Sequence, residues 1–273
     1  MEKTKIIGKR ILIAGGAGSL GSELCRQLAP YNKIFVLDNN ESGVFDICDE
    51  LSKYWVKPRV GDIRDKATIK DLFEDFKPQI VINAAALKHV PLSHLYPRDY
   101  FETNIMGNLN LIEEAKRWEC LKKYIFISTD KVVSANSIMG ITKRCAELTT
   151  VNMGKRFIAV RFCNVQGSRG SLFTIWERQK AKGEPITVTD KRMERYMMSI
   201  KNACELVIRA SKEDTGIVVL DAGEPRKIMD LAMQYSNDIK IIGIRKGEVL
   251  EEELMFAEEK LKAVKKGKYY LIK

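Results

Sequence analysis

Histidine and paired cysteine are scarce in this sequence. His89 and His94 are the only histidines among 273 residues, and the six cysteines include no Cys-x-x-Cys pair. A zinc site needs several such ligands close together, and a disulfide framework is typical of short chains rich in cysteine. We therefore expect neither a metal site nor structural disulfides.

Long hydrophobic runs are missing as well. The longest apolar segments have the length of one strand, and residues 1–10 contain no hydrophobic signal segment, whereas a membrane-spanning helix needs about 20 apolar residues. This absence predicts a cytoplasmic protein without a membrane segment. With 45% hydrophobic and 30% charged residues, the chain resembles a globular protein, and its length suits one α/β domain with a smaller lobe.

A net charge of +10 is the main bias in the composition. It indicates either a phosphate-rich partner or a surface covered with solvated lysines. The lysines are spread along the whole chain, and no basic cluster alternates with aromatic residues as in proteins that bind single-stranded nucleic acid. We therefore expect no nucleic acid partner, although a positive cleft would attract a nucleotide diphosphate.

A glycine-rich turn near the start carries the first specific signal. Residues 9–14 predict an apolar strand, GGAGSLG follows directly, and residues 22–28 have a helical pattern. Glycines in such a turn let a dinucleotide pyrophosphate approach the backbone at the helix N-terminus. The predicted cofactor contacts in this turn are Gly15, Gly18, Ser19, Leu20 and Gly21.

A carboxylate follows the second predicted strand. Residues 33–37 (KIFVL) lead to Asp38, seventeen residues after Gly21. At that point Asp38 can accept hydrogen bonds from the adenosine ribose and would repel a 2'-phosphate, so the sequence favours NAD over NADP. The alternative is that Asp38 only caps the next turn.

Two segments beyond the second strand add candidate cofactor contacts. Asp62 and Ile63 lie where a third strand would meet the adenine, unless they form a solvated turn. Residues 79–86 (QIVINAAA) predict a buried strand that ends in small side chains, which would let a cofactor pass close to the backbone. Its candidate contacts are Ala84, Ala85 and Ala86.

Polar residues after that strand are candidates for the active site. Lys88 and His89 stand at its carboxyl end as candidate substrate contacts, and His89 either acts as an acid or base or hydrogen-bonds the loop backbone, which is the favoured role. Asn104 lies near the start of an amphipathic helix predicted over residues 100–118. We expect it to contact the cofactor or to organise the active site through hydrogen bonds.

The segment 125–143 (IFISTDKVVSANSIMGITK) carries the strongest chemical signal. It begins with a buried strand and then presents four polar residues at the strand's carboxyl end, where open α/β sheets bind ligands. These residues are Ser128, Thr129, Asp130 and Lys131. The alternative for Asp130 and Lys131 is an ion pair on the surface.

Met139 and Lys143 in the same segment are about one helical turn apart. Both therefore face the same cleft if a helix begins near Ser137. Methionine can neither donate nor accept the proton of a reacting alcohol. Either the site is inactive, or another residue handles that proton.

The C-terminal third predicts two more strands of the sheet and a small lobe. Residues 156–162 and 217–221 have strand patterns, and the Gly/Ser-rich loop CNVQGSRGS between them suits a substrate contact. In residues 181–198, Arg192 and Arg195 are available to clamp a diphosphate, with Arg195 favoured, unless either is only a surface arginine.

The alternation of strands and helices predicts a doubly wound parallel sheet of the Rossmann type. The predicted NAD-binding domain covers residues 1–165, and residues 198–224 return to it. The predicted substrate-binding lobe covers residues 166–197 and 225–273.

Several motifs together carry a resemblance to a known family. In order they are GGAGSLGSEL, NAAALKHVPL, TNIMGN, STDKVV, IMGITK, RFCNVQGSRGS, ITVTDKRMERYMMS and IKIIGIRKGE. From about Ile6 to its end the chain resembles the polysaccharide-biosynthesis branch of the extended short-chain dehydrogenases/reductases, and more narrowly the UDP-N-acetylglucosamine 4,6-dehydratases. Short-chain dehydrogenases usually have a Tyr where this chain has Met139. Long membrane-anchored members of the branch have Met there, whereas short soluble members that invert C5 normally keep Tyr, so the resemblance implies retention at C5.

The resemblance implies a reaction without net redox change on a UDP-sugar. NAD oxidises C4, water leaves across C5 and C6, and hydride returns to C6. Asp130 is the implied acid for the C6 hydroxyl, and Lys131 is the implied base at C5, which requires a neutral amine and so a lowered pKa. Thr129 is expected to hydrogen-bond the C4 oxygen.

The other implied roles concern the pocket. Lys143 binds the nicotinamide ribose, and Met139 shapes the sugar pocket. The implied substrate contacts are Asn164, Ser168, Arg169 and, for the diphosphate, Arg195. The acceptor of the C4 proton stays open among Asp130, Thr129 and a water held by Lys143, and a homo-oligomer is expected.

Two other functions compete with this hypothesis. A nucleotide-sugar 4-epimerase would use the same fold, cofactor and C4 oxidation, but it needs no acid/base pair for water loss, so the TDK triplet argues against it. A non-catalytic NAD-binding scaffold would explain Met139, but it has no need for Thr129, Asp130, Lys131 and Lys143. DNA binding is a distant third.

Overall fold

The computed structural model describes residues 5–273, so the first four residues of the predicted NAD-binding domain lie outside it. In chain order the strands are β1 (Arg10–Ala14), β2 (Lys33–Asp38), β3 (Val56–Val60), β4 (Ile80–Asn83), β5 (Lys123–Thr129), β6 (Phe157–Phe162), β7 (Asn164–Gln166), β8 (Ile186–Val188), β9 (Glu194–Arg195), β10 (Met197–Ser199), β11 (Gly216–Leu220), β12 (Arg226–Lys227), β13 (Ile239–Ile241), β14 (Val264–Lys266) and β15 (Tyr269–Ile272).

The helices alternate with these strands through most of the chain. They are α1 (Ser19–Leu28), α2 (Glu41–Glu50), α3 (Lys66–Phe76), α4 (Val90–Leu95), α5 (Pro97–Phe101), α6 (Gly107–Arg117), α7 (Ile138–Val151), α8 (Leu172–Ala181), α9 (Ile200–Ala210), α10 (Ile228–Tyr235) and α11 (Ala257–Lys262), with short 3₁₀ turns at Ala29–Tyr31 and Asp130–Val132 and a π-helical turn at Glu102–Met106. Among residues 5–273, no helix is both long enough and apolar enough to cross a membrane.

The main sheet has nine strands in the order β14-β15-β11-β6-β5-β4-β1-β2-β3. The seven strands from β11 to β3 run parallel, and β15 and β14 extend the sheet antiparallel. The predicted doubly wound parallel sheet is therefore confirmed. Because its strands are parallel, their carboxyl ends meet at one edge, where ligands bind in this class of fold.

Apolar side chains cover both faces of the sheet. Leu24 of α1 and Val207 of α9 belong to one buried layer. Leu72 of α3, Leu111 of α6 and Ala146 of α7 belong to the layer on the opposite face. Burial on both faces explains why the central strands have continuous apolar sequences instead of alternating ones.

Three predicted elements have different bounds in the structure. The third strand is β3, which ends before Asp62, and it tolerates Pro58 because it lies at the sheet edge. Helix α1 begins at Ser19, directly after the glycine-rich turn. The helix predicted over residues 100–118 begins earlier and contains the π-helical turn, which includes Asn104.

The small lobe has its own apolar core and three short strand pairs. Strands β8 and β13, β9 and β12, and β7 and β10 form these pairs. Trp176 of α8 and Leu231 of α10 lie in its buried core. The sequence assigned residues 225–273 to the lobe, but this is wrong for the last strands, because β14 and β15 pair with the main sheet.

A buried ion cluster ties the C-terminal helix to the main domain. The Arg161 guanidinium on β6 is fully buried and lies 2.8 Å from the Glu147 carboxylate on α7 and 2.7 Å from the Glu259 carboxylate on α11. Arg144 also contacts both carboxylates. The cluster connects three elements, and Arg161 additionally donates to the Leu254 carbonyl at 2.8 Å.

We expect Arg161→Met to destabilise the protein strongly. The substitution leaves two buried carboxylates with Arg144 alone, and removing one partner of a buried ion pair costs about 3–5 kcal/mol of unfolding free energy. Urea denaturation measures the change. Arg192→Met is the matched control, because Arg192 is 70% exposed in its pair with Asp190, and we expect no change in its midpoint. Equal midpoints for the two variants would contradict the role of the cluster.

Candidate active site

A cavity of about 1040 Å³ lies at the carboxyl edge of the sheet, between the sheet and the small lobe. The glycine-rich turn and the ends of β2, β4 and β5 form one wall. Loop residues around Ser168–Ser171 and 245–252 form the other. Its size and position are those expected for a ligand site in an α/β fold.

The glycine-rich turn is packed so closely that side chains are excluded at two positions. A Cβ on Gly15, whose φ is +75°, would lie 2.5 Å from the Ala85 nitrogen, and a Cβ on Gly21 would lie 2.1 Å from the Gly15 oxygen. Gly18 precedes α1, and no side chain caps that helix. Its first N–H groups are therefore available to an anion, as a dinucleotide pyrophosphate requires.

The backbone holds Asp38 at the end of β2. Its Oδ2 accepts a hydrogen bond from the Ala17 N–H at 3.0 Å, and its Oδ1 accepts one from the Asn40 N–H, also at 3.0 Å. The first bond joins β2 to the glycine-rich turn, so Asp38 does more than cap the next turn. It lines the cavity, where its remaining lone pairs fit ribose hydroxyls.

Most of the other predicted cofactor contacts lie in the cavity wall. The cavity is lined by Ser19, Leu20, Asp62, Ile63, Ala84, Ala85 and Ala86. Arg64 donates to Asp62 at 2.7 Å and holds the pKa of that carboxyl below its usual range.

The structure corrects one of the two roles expected of Asn104, contact with a cofactor, and fits the other, which is to organise the site through hydrogen bonds. It is buried in the π-helical turn, outside the cavity wall. Its Oδ1 accepts from the Leu87 N–H at 2.9 Å, and its Nδ2 donates to the Leu87 carbonyl at 3.0 Å and to the Thr142 hydroxyl at 3.1 Å. These bonds use its hydrogen-bonding groups to attach the loop after β4 to α7, so it supports the site instead of contacting a cofactor.

Lys88 and His89 meet the loop after β7. Lys88 Nζ donates to the Arg169 carbonyl at 2.8 Å. The Arg169 N–H donates to Ser19 Oγ at 2.9 Å, so the loop crosses the glycine-rich turn. Burial lowers the pKa of Lys88, with Arg169 contributing, and burial also lowers that of His89. Ser168 lines the cavity, but its hydroxyl donates to the Val165 carbonyl.

The triplet after β5 forms one connected group. Thr129 Oγ1 donates to Asp130 Oδ1 at 2.9 Å. Lys131 Nζ donates to the same oxygen at 3.1 Å and to Asn164 Oδ1 at 3.4 Å. The Asp130 side chain is fully buried, whereas that of Lys131 is 27% exposed and lines the cavity. Asp130 and Lys131 are thus not a surface ion pair.

Glu252 completes this group, and sequence reasoning missed it. Its Oε1 lies 2.9 Å from Lys131 Nζ and 3.1 Å from Arg195 Nε, and its Oε2 accepts from Asn164 at 2.8 Å. Glu252 is buried, while Glu251 and Glu253 on either side are exposed. Residues 251–253 are three consecutive glutamates, and nothing in their local sequence indicates which one is buried. Only the folded structure shows that it is Glu252.

The pKa of Lys131 differs from the expected one because of the charges around this residue. Burial alone would lower the pKa of Lys131, but Asp130 and Glu252 raise it above its ordinary value. Burial, together with the charge of Glu252, raises the pKa of Asp130. The raised pKa of Lys131 favours an ammonium ion over the neutral amine that a base requires, whereas the raised pKa of Asp130 suits that group for an acid.

Arg195 is a second correction. Its Nη1 donates to the Glu194 and Leu250 carbonyls at 2.6 and 2.8 Å, its Nη2 donates to the Val249 carbonyl at 2.7 Å, and its Nε faces Glu252. The Val249 and Leu250 carbonyls belong to an irregular loop and that of Glu194 to β9, and buried carbonyls need donors. Arg195 therefore holds the loop that carries Glu252, instead of presenting a free guanidinium to a diphosphate.

Helix α7 begins near Ser137, as predicted. The Ser137 hydroxyl accepts from the Gly140 N–H at 3.0 Å and caps the helix. Met139 and Lys143 both line the cavity. Lys143 Nζ donates to the Ile127 carbonyl and lies 4.0 Å from the centre of the Phe126 ring. Burial lowers the pKa of Lys143 to about 7.

Among residues 5–273, no group of three or more His, Cys, Asp or Glu residues is arranged so that it could hold a metal ion.

Comparison with known proteins identifies the family. The model of the family described as "Polysaccharide biosynthesis protein" matches residues 11–273. The capsular polysaccharide biosynthesis protein CapD of Staphylococcus aureus is 39% identical over 278 residues, which cover 93% of this chain and 46% of that relative. The chain thus spans about half the length of that relative.

Two other relatives are matched over most of their length. The UDP-N-acetylglucosamine 4,6-dehydratase (inverting) of Campylobacter jejuni is 31% identical over 97% of this chain and 83% of its own. The UDP-glucose 4-epimerase of Rickettsia bellii is 30% identical with the same coverage. Among solved structures, Pen from Bacillus thuringiensis has a TM-score of 0.91 at 30% identity and covers 97% of this chain and 86% of its own.

We expect Lys143→Met to stabilise the protein in a pH-dependent way. Unfolded Lys143 keeps its proton up to a pKa of 10.5, whereas the folded protein releases it near pH 7. Between these values the unfolded chain binds more protons, so wild-type stability rises with pH by up to about 1.4 kcal/mol per unit. The variant should be the more stable protein at pH 6, and its advantage should shrink towards pH 10.

Urea unfolding at a series of pH values measures this difference. The exposed substitution Lys262→Met controls for the loss of one positive charge. A stability difference between wild type and Lys143→Met that does not vary with pH would show that Lys143 is not forced to release its proton on folding.

Proposed function

We propose that this chain, which belongs to the polysaccharide biosynthesis protein family, is an NAD-dependent 4,6-dehydratase that acts on UDP-N-acetylglucosamine. One observation carries the proposal. A fully buried carboxyl with a raised pKa, Asp130, contacts the cavity-lining Lys131 at the carboxyl end of β5. Water elimination needs a base at C5 and an acid at the C6 hydroxyl, whereas the return of hydride to C4 in an epimerase needs neither of these two groups.

The glycine-rich turn and Asp38 are the residues that would hold the cofactor. The N–H groups at the start of α1 suit the pyrophosphate, and the Asp38 carboxylate suits the two ribose hydroxyls of NAD and would repel the 2'-phosphate of NADP. When bound, NAD accepts hydride from C4 of the sugar and returns it to C6. Lys143, at the cavity wall, would bind the nicotinamide ribose.

Thr129 and Asp130 would transfer the C4 proton in the absence of a tyrosine. Thr129 Oγ1 already donates to Asp130 Oδ1, so a C4 hydroxyl that donates to Thr129 is connected to the Asp130 carboxylate. The proton that leaves C4 then passes from Asp130 to the C6 hydroxyl, which departs as water. The raised pKa of Asp130 suits both transfers, because the group gains and loses a proton near neutral pH.

Arg169 and Lys88 would contact the diphosphate of the nucleotide sugar. Both line the cavity, and the Arg195 guanidinium is occupied by backbone carbonyls. Asn164 bridges Lys131 and Glu252 and would orient the sugar through them. Met139, buried at the same wall, would shape the sugar pocket and favour retention of the C5 configuration.

A 4-epimerase is the second candidate, because the Rickettsia relative is as similar to this chain as the Campylobacter dehydratase. Epimerisation also begins with C4 oxidation, but it removes no water. Asp130 would then still take the C4 proton, but Lys131 and the Glu252 carboxylate beside it would have no chemical role. The same residues argue against a non-catalytic scaffold.

The homo-oligomer expected from the sequence stays a prediction. Exposed apolar side chains of α5 and α7 favour it, namely those of Phe101, Ile141 and Leu148.

The decisive experiment incubates the protein with NAD and UDP-N-acetylglucosamine in deuterated water, without added reductant. NMR should reveal a 4-keto-6-deoxy sugar with one solvent deuteron at C5, and the coupling pattern there should report retention. UDP-N-acetylgalactosamine as the only product would replace the dehydratase with the epimerase. No turnover of UDP, GDP or dTDP sugars, with NAD still bound, would leave the scaffold.

Asp130→Asn tests the acid. The amide keeps the size of the side chain but cannot supply the proton for the C6 hydroxyl, so we expect dehydration to fall by about 10²–10⁴-fold. Asp190→Asn, at a half-buried carboxylate of the small lobe that pairs with Arg192 and lies outside the cavity wall, should keep the wild-type rate. Product formation by Asp130→Asn at a rate within a factor of two of this control would exclude Asp130 as the acid.

A further inference from the structure

Glu252 is held more firmly than its place in an irregular loop requires. Its carboxylate contacts Lys131, Arg195 and Asn164 at 2.8–3.1 Å. Its neighbours Glu251 and Glu253 are exposed. A glutamate whose only role is solubility would face solvent like these two, so the burial of Glu252 indicates a specific function.

Two buried arginines fix the backbone on either side of Glu252. Arg195 binds the Val249 and Leu250 carbonyls before it, and Arg161 binds the Leu254 carbonyl after it. The loop thus approaches β5 in one arrangement. Glu252 contacts Lys131 because the protein fixes the loop backbone on both sides of Glu252.

The proposed reaction needs a group that accepts a proton from Lys131. Lys131 must lose a proton before it can act as the base at C5. Two carboxylates contact its Nζ, those of Asp130 and Glu252. Asp130 must itself carry a proton for the departing C6 hydroxyl, so it cannot also take the one from Lys131. Glu252 is the carboxylate that remains.

We infer that Glu252 is a positioning residue that acts through Lys131, holding its ammonium group at the cavity and taking its proton when the sugar fills the site. The inference rests on the proposed function. Burial would raise the pKa of Glu252, but Lys131 and Arg195 hold it well below its usual range, so the proton stays on Lys131 before the sugar binds. When the sugar displaces water from the exposed part of Lys131, the charged pair loses its remaining solvation, which favours the neutral pair of amine and carboxylic acid. The charged and titratable groups that face Glu252 are Lys131, Asp130, Arg195 and the Cys163 thiol.

The proposed steps balance in protons and electrons. Lys131 passes a proton to Glu252 and then takes the C5 hydrogen as a proton, while the C5–H electron pair forms the C5–C6 double bond. The C6–O bond breaks, and Asp130 gives its proton to the leaving oxygen. After hydride returns to C6, Lys131 gives a proton to C5 and regains the one that Glu252 held.

The test combines two measurements on Glu252→Gln, Glu252→Asp and the adjacent exposed control Glu251→Gln. The first follows the side-chain nitrogen signal of Lys131 by NMR in lysine-labelled protein without substrate, assigned by its loss in Lys131→Met. The second adds NAD and UDP-N-acetylglucosamine in deuterated water and records reduced nicotinamide, C5 deuterium and product.

We expect Glu252→Gln to lower the pKa of Lys131, because one of its two carboxylates loses its charge. Reduced nicotinamide should still form, since C4 oxidation does not involve Glu252, whereas C5 deuteration and water loss should fall by about 100-fold or more. Glu252→Asp should recover part of this loss, and Glu251→Gln should behave as wild type in both measurements.

Two results would overturn the inference. An unchanged Lys131 titration in Glu252→Gln would exclude the pairing, whether or not any sugar is turned over. Wild-type dehydration by Glu252→Gln, with a lowered pKa of Lys131, would show that Glu252 sets only the charge of Lys131 and accepts no proton. A wild-type protein that turns over no sugar would overturn the proposed function and the transfer step together, and the titration would still decide the pairing.

Discussion

The site depends on the balance of charge in a small buried volume at the carboxyl end of β5. Two cations, Lys131 and Arg195, share it with the carboxyl groups of Asp130 and Glu252. Removing charges from water costs several kcal/mol each unless partners compensate. The charges in this volume therefore shift the pKa values of Asp130, Lys131 and Glu252, and a change in one of these groups affects the others.

This balance explains the architecture of the C-terminal third. The loop 249–254 has no regular structure, yet it must hold a carboxylate within hydrogen-bonding distance of Lys131. Arg195 and Arg161 bind its backbone carbonyls, and Arg161 is itself fixed by Glu147 and Glu259. Buried ion pairs are seldom a source of stability when compared with apolar packing. Here they supply geometry, because they attach an irregular segment to β6 and α7 without adding a strand.

The sequence predicted the parts of the site that depend on local pattern. Gly15 and Gly21 stand where only glycine fits between packed backbones, and Asp38 follows its strand directly, so spacing alone indicates the cofactor turn. The long-range parts could not be predicted in this way. Glu252 and Lys131 are far apart in the chain, and their contact arises only from folding. The protonation of Lys131 follows from that contact, which is why its pKa moves in the direction opposite to the one expected.

The expected ligand contacts of Arg195 and Asn104 were wrong for a related reason. Arginine and asparagine side chains often bind ligands, and the sequence predicted both residues to lie near the cavity. The loop backbone next to each residue has carbonyl or N–H groups without a partner in a strand or helix. The side chain forms hydrogen bonds with these backbone groups and not with a ligand. A polar residue next to a loop therefore cannot be assigned to a ligand until the backbone hydrogen bonds of that loop are known.

Met139 in place of a tyrosine affects where the acid and base groups of the site lie. A tyrosine at this position would place a phenol near Lys143, whose positive charge would help the phenol to ionise. With methionine there is no phenol to ionise, and burial lowers the pKa of Lys143 to about 7. The wall that α7 forms is thus weakly charged at neutral pH, and the acid/base groups of the site are concentrated at the end of β5. In the proposed reaction, proton transfer at C4 would then depend on Thr129 and Asp130, the side chains that already share a hydrogen bond there.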